Sequence, residues 1–258
     1  MGSDIRPGTF RVLGLPVDAI QIPETIDRMR GWIRGRERCR YVTVTGMHGV
    51  SEARRDPSLM RIFREADLVV PDGMPLCWLG RLRGHPLGRR VYGPELMMEF
   101  CAATSGAGYR HFFYGGAPGV AEDLARTIER RFPGLIVAGT HTPPFRPLTH
   151  EEAAEVREKI NATRADLVWV GLSTPTQERW MADNRAGLAA AVLIGVGAAF
   201  DFNTGRVPQA PRWMRENGLE WLYRLCREPR RLWRRYLLRG PEFVWNVSLE
   251  LMKLRQFD

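Results

Sequence analysis

Asp166-Leu-Val-Trp-Val-Gly-Leu-Ser-Thr-Pro-Thr-Gln-Glu-Arg-Trp180 carries the unit from which the fold is read. Asp166 to Val170 is a strand-length run rich in β-branched and aromatic residues, and Pro175 then suits the first turn of a helix. The same alternation extends outward in both directions. Apolar runs recur at Tyr41-Val-Thr-Val-Thr45, Asp67-Leu-Val-Val70, His111-Phe-Phe-Tyr114, Leu135-Ile-Val-Ala138 and Ala191-Val-Leu-Ile194. Helix-like stretches lie between them at about 22–34, 50–65, 74–83, 94–105, 118–131, 149–162 and 175–188. Such a pattern predicts an α/β fold, a Rossmann-like, mostly parallel sheet with helices on both faces. Phe10-Arg-Val-Leu-Gly-Leu15 and Val17-Asp-Ala-Ile20 predict a small hairpin or edge element before it, and Thr142-Pro-Pro-Phe-Arg-Pro147 a loop. After about residue 205 the sequence turns continuously helix-like and dense in Trp, Tyr and Arg. The expected organisation is an α/β domain at 1–205 and a helical, basic appendage at 206–258.

With 258 residues, 44% of them hydrophobic, the chain can bury a full core, so disorder is not the default. An excess of 38 Lys and Arg over 29 Asp and Glu points to anionic partners: nucleic acid, phosphate ligands or an anionic membrane. Cys39, Cys77, Cys101 and Cys226 lie far apart, which argues against a structural zinc site and a disulfide framework and fits a reducing cytoplasm. No apolar segment reads as a signal peptide or approaches the roughly 20 residues needed to span a bilayer, so the membrane contact expected is peripheral.

In open α/β sheets ligands bind beyond the carboxyl ends of the strands. Val69-Val-Pro-Asp-Gly73 puts Asp72 at such an end, where a carboxylate could take a proton from an attacking hydroxyl. Locally, it reads more readily as a turn residue or as the N-cap of the helix near Met74 than as a base. Tyr114-Gly-Gly-Ala-Pro-Gly119 turns into a helix with free backbone N–H groups, a phosphate cradle at Gly115 and Gly116 or an ordinary turn. Gln177 and Glu178 open a helix where amide and acid could meet sugar hydroxyls, although Glu178 also complements a helix dipole. Gly195-Val-Gly-Ala-Ala-Phe-Asp201 combines small residues with one carboxylate suited to ribose hydroxyls. The histidines have no metal-ligand spacing, only His48 follows a core strand, and no Asp-x-Asp occurs; a diphosphate would have to be balanced by protein donors.

Between Arg224 and Arg239 lie seven arginines against one acid, Glu228. At helical periodicity Leu222, Leu225, Leu232, Trp233 and Tyr236 share one side, while Arg224, Arg227, Arg231, Arg234 and Arg235 share the other. A basic amphipathic helix with aromatics is a membrane-surface signature. A solvated stripe packed on the core, contacts to nucleic-acid phosphates and diphosphate binding compete with it, though no nucleic-acid motif accompanies the arginines.

Several motifs, in order, resemble the WecG/TagA/CpsF family, glycosyltransferase family 26. They are Ala66-Asp-Leu-Val-Val-Pro-Asp-Gly73, Arg90-Val-Tyr-Gly-Pro-Glu-Leu-Met97, Phe113-Tyr-Gly-Gly-Ala-Pro-Gly-Val-Ala121, Pro175-Thr-Gln-Glu-Arg-Trp180, Gly195-Val-Gly-Ala-Ala-Phe-Asp-Phe202 and Ala210-Pro-Arg-Trp213 with Glu220-Trp-Leu-Tyr-Arg-Leu225 and Glu228-Pro-Arg-Arg231. The resemblance implies inverting, metal-independent transfer, without a cofactor, from a UDP-sugar to an undecaprenyl-diphosphate-linked saccharide. It places the work at the cytoplasmic face of a bacterial membrane, in surface-polysaccharide assembly, and no nucleic-acid partner is expected. It raises Asp72 to the general base, puts Arg90 and Gln177 at the sugar and diphosphate, and gives Gly195, Gly197 and Asp201 the uridine end. Arg224, Arg231 and Arg234 become the appendage arginines that close over the diphosphates. Where many members carry Thr-x-Asn this chain has Thr43-Val-Thr45-Gly-Met-His48, so the Asn role is either lost or taken by Thr45 or His48. Where many have Tyr-Phe this chain reads Pro144-Phe145, which leaves Phe145 as the aromatic near uracil. A UDP- or phosphate-binding membrane-docked module without catalysis and a nucleic-acid-binding protein are the rival classes; the sugar, the acceptor and any homo-oligomer are left open.

Overall fold

A computed structural model describes residues 8–36 and 38–257. A six-stranded sheet has the order β4-β3-β8-β7-β5-β6, with β3 Arg40–Thr45, β4 Leu68–Pro71, β5 Arg110–Gly115, β6 Ile136–His141, β7 Leu167–Gly171 and β8 Val192–Gly195. The pairs β3–β8, β8–β7, β7–β5 and β5–β6 are all parallel. Helices flank the sheet, and the fold is the expected α/β class. Leu167, Val168, Trp169 and Val170 of β7 are completely buried, as a strand covered on both faces requires, whereas edge strand β6 is only half-buried. β1 Thr9–Val12 and β2 Leu15–Asp18 form the anticipated hairpin.

The chain divides into two compact units. Unit 2, Ile22–Thr43 and Gly93–Pro208, holds most of the sheet with α1 Ile22–Gly35, α5 Gly93–Thr104, α6 Val120–Arg131, α7 His150–Ala162, α8 Thr176–Asn184 and α9 Ala199–Asn203. In it the connection from β5 leads outward to β6, and that from the neighbouring β7 leads the opposite way to β8. Such a switch of direction opens a crevice at the strand ends.

Unit 1, Met1–Gln21, Val44–Tyr92 and Gln209–Asp258, contains the hairpin, the end of β3, β4 and the helices α2 Met47–Arg55, α3 Pro57–Glu65 and α4 Met74–Leu82. The C-terminal segment belongs to this unit: α10 Arg212–Glu216, α11 Glu220–Arg227, α12 Pro229–Trp233, a π-helical turn Arg234–Leu238, and α13 Arg239–Leu251.

Two expectations need correction. The single helix over 50–65 is two, because Asp56 ends α2 and caps α3, its carboxylate accepting from the Ser58 and Leu59 N–H groups in front of Pro57. The amphipathic stripe of the appendage is also interrupted. Pro229 has no N–H to continue α11, so the chain restarts as α12; Leu232 is buried while Leu222 and Trp233 are exposed.

Candidate functional site

In unit 1 the ends of β3 and β4 lie side by side, the Asp72 N–H donating to the Thr45 carbonyl at 2.8 Å. The N-cap of α4 is Gly73 and no side chain caps that helix, so the helix-capping reading of Asp72 fails. Arg90 follows Asp72 closely, its Nη1 donating to the Asp72 carbonyl at 3.1 Å and its Nη2 to the Glu220 carboxylate of α11 at 2.5 Å. The guanidinium also stacks 4.1 Å from the Tyr92 ring, over which Arg215 lies at 5.4 Å. Burial works against the Arg90 charge, but Asp72 and Glu220 more than offset it and hold Arg90 protonated. Burial, with Glu220 and Asp72 adding negative charge, pushes the Tyr92 phenol well above its ordinary range.

Arg235, in the π-helical turn, completes this group. Its burial, with Arg224 and Arg231 nearby, lowers its proton affinity, while Tyr236 and Asp72 favour its charge. His48 is half-buried, and that burial together with Arg235 lowers its pKa to about 3, so it is neutral at physiological pH. The Thr45 hydroxyl is buried without a hydrogen-bond partner among the described residues. Gly49 makes room for it: a Cβ there would come within 2.1 Å of Thr45 Oγ1.

Unit 2 builds a second cluster at its crevice. Gly116 N–H donates to the Gly171 carbonyl at 3.0 Å, and a Cβ on Gly115, at φ +118, would sit 2.6 Å from that oxygen. Only glycine lets β5 and β7 turn this closely together. Gln177 and Glu178 are buried at the start of α8. Gln177 Oε1 accepts from the Gly197 N–H at 2.9 Å, while its Nε2 donates to Glu178 Oε1 at 3.0 Å, which also accepts from Thr174 at 2.9 Å. Glu178 Oε2 is buried with no hydrogen-bond partner among the described residues, and burial raises the proton affinity of the carboxyl. The orientation of the Gln177 amide is thus fixed at both ends. Tyr114 and Trp180 stack at 4.2 Å, with His141 stacked on Tyr114 at 5.7 Å.

Among the described residues no group of three or more His, Cys, Asp and Glu is placed to hold a metal ion. The cations gathered round Asp72 are guanidinium groups, the donors that suit phosphate oxygens.

The sequence profile of the glycosyl transferase WecG/TagA/CpsF family matches residues 10–257. The chain belongs to this glycosyltransferase family. It is 34% identical over 196 residues to an N-acetylglucosaminyldiphosphoundecaprenol N-acetyl-beta-D-mannosaminyltransferase of Bacillus spizizenii, covering 76% of this chain and 74% of that protein. A protein of the same name from Bacillus subtilis is 28% identical over 203 residues, 79% of this chain and 77% of the relative.

Within this glycosyltransferase the residues singled out from sequence fall into both units. Asp72, Thr45, His48, Arg90 and Arg224 belong to unit 1, and Thr43 is buried in β3 opposite Gly195. Gly115, Gly116, Gln177, Gly195, Gly197 and Asp201 belong to unit 2, Asp201 in the first turn of α9. Phe145 is 87% exposed on the loop after β6. Arg231 is exposed and paired with Glu228 at 2.6 Å, and Arg234 is exposed with its guanidinium over Trp233. The sequence reading missed Tyr92, Arg215, Glu220 and Arg235 as members of the Asp72 group. Tyr92 and Glu220 stood inside quoted motifs, and that was the one signal available for them.

Proposed function

We propose that this glycosyltransferase moves an N-acetylhexosaminyl group, with inversion and without a metal ion, from a UDP-sugar to an undecaprenyl-diphosphate-linked saccharide, and that Asp72 is its base. The acceptor hydroxyl gives its proton to the Asp72 carboxylate as its oxygen attacks the anomeric carbon. The bond from that carbon to the UDP oxygen breaks, and UDP leaves with the electron pair. Arginine charge stabilises the diphosphate groups that elsewhere need a cation. Arg90, Arg224, Arg231, Arg234 and Arg235 are the residues proposed for this, with Thr43, Thr45 and His48 at the sugar. Gln177 is proposed for the sugar and diphosphate, and Gly115, Gly116, Gly195, Gly197, Asp201 and Phe145 for the nucleotide.

The observation that carries the reading is the Asp72–Arg90–Glu220 arrangement: a strand-end carboxylate that caps no helix, whose negative charge favours the charged forms of Arg90 and Arg235 while Arg90 bonds its backbone carbonyl. The names of the two Bacillus relatives support N-acetyl-D-mannosamine as the sugar and an N-acetylglucosaminyl-diphosphoundecaprenol acceptor.

The appendage is proposed to dock peripherally on the inner face of the cell membrane. No helix among the described residues is long and apolar enough to cross one. Yet Trp213, Trp233, Leu237, Leu238 and Trp245 are all at least 40% exposed, more apolar surface than a solvated face carries. A panel of UDP-sugars with a short-chain lipid-diphosphate acceptor, read by UDP release, tests the reaction; release from no donor would overturn it.

A further inference from the structure

Away from Asp72, unit 1 contains a cleft of about 590 Å³ lined by Arg54, Arg61, Arg64 and Arg255 together with Met60 and Phe257, with no Asp or Glu among the described residues that line it. The guanidinium groups of Arg54 and Arg255 lie 5.6 and 5.1 Å from the Phe257 ring centroid, which holds both against one apolar surface. Arg64 is pinned by the Gly14 carbonyl at 3.3 Å. Glu242 stands 3.8 Å from Arg54 but also serves Arg55 and Arg239, so one carboxylate is shared among three cations. The cleft therefore carries excess positive charge over an apolar floor.

We propose that this cleft binds the phosphate-bearing headgroup of an anionic lipid. Planar guanidinium groups match phosphate oxygens, and the apolar lining matches what adjoins a phosphate in a lipid. Continuity of the chain favours a lipid over a free anion. Trp245 and Leu251 on α13, then Met252 and Leu254, are 42% to 70% exposed, and Arg255 follows at once. An apolar stretch that meets acyl chains would bring Arg255 to the headgroup level. The inference rests on the membrane-docking reading of the appendage.

The test uses the full chain and vesicles of phosphatidylcholine with and without phosphatidylglycerol, read by sedimentation. The exposed pair Arg61→Ala with Arg255→Ala is compared with Arg28→Ala with Arg34→Ala, which removes equal charge from exposed positions on α1. Wild type binds the phosphatidylglycerol vesicles more tightly; the cleft pair weakens that binding about tenfold and the α1 pair less than about twofold. Inorganic phosphate does not displace the protein. Equal loss in both pairs, or none in the cleft pair while wild type still binds, overturns the site and leaves membrane docking standing. Ready displacement by phosphate makes it a free-anion site and overturns the lipid assignment. Failure of wild type to bind either vesicle overturns the docking reading and this inference with it.

Discussion

Arg90 and Glu220 form an ion pair at 2.5 Å between side chains only 14% and 13% exposed, although 130 residues separate them in the chain. Because the same guanidinium donates to the Asp72 carbonyl, the pair ties α11 of the appendage to the loop that carries the proposed base. Removing one partner of a buried pair leaves the other charge uncompensated. Glu220→Ala should therefore lower stability by about 3 kcal/mol and depress turnover, read from denaturant midpoints and UDP release. Glu220→Gln, which still accepts a hydrogen bond, should lose less.

Arg234 and Arg235 are neighbours with different fates. Arg235 feels the Asp72 charge, while Arg234 is exposed beside Trp233. Arg235→Ala should lower kcat by about a hundredfold, the scale of removing one electrostatic donor, and Arg234→Ala by much less. Steady-state kinetics on both variants check the order.

Burial lowers the pKa values of His48 and His111 to about 3 each, against an ordinary 6.5. The unfolded chain then binds more protons than the folded one between those values, so stability falls as pH drops below about 6.5 and stops falling for this reason near 3. Between pH 7 and 5, before most carboxylates titrate, unfolding midpoints should decline, and His48→Gln should flatten that decline. A profile level over this range would contradict neutral, buried histidines.

Glu178 accepts from Gln177 and Thr174 through one oxygen. Glu178→Leu removes that acceptor and frees the Gln177 amide, so the donor KM should rise with kcat less affected; Glu178→Gln keeps an acceptor and should stay near wild type. Initial rates at varied UDP-sugar make the comparison.

The sheet was legible because its strands are short apolar runs, the central ones buried on both faces, and each expected run overlaps an observed strand. The break at Asp56-Pro57 was also written in the sequence, as an N-cap in front of a first-turn proline, but periodicity carried the expected helix across it. Asp72 could be singled out as a strand-end carboxylate. Its partners could not, because Tyr92, Glu220 and Arg235 converge through tertiary packing that no local spacing encodes. The arginine run shows the same limit: its register depends on where Pro229 restarts the helix and on the π-helical turn that follows.

The most direct test of Asp72 as the base is Asp72→Asn, with UDP release measured against UDP-sugar and lipid-diphosphate acceptor together, and folding checked by the unfolding midpoint. The substitution keeps the backbone N–H that bonds Thr45 and the carbonyl that bonds Arg90, and removes only the proton acceptor. Turnover should fall by at least about a hundredfold with the fold and UDP affinity retained. Turnover near wild type in a folded Asp72→Asn protein would contradict the account.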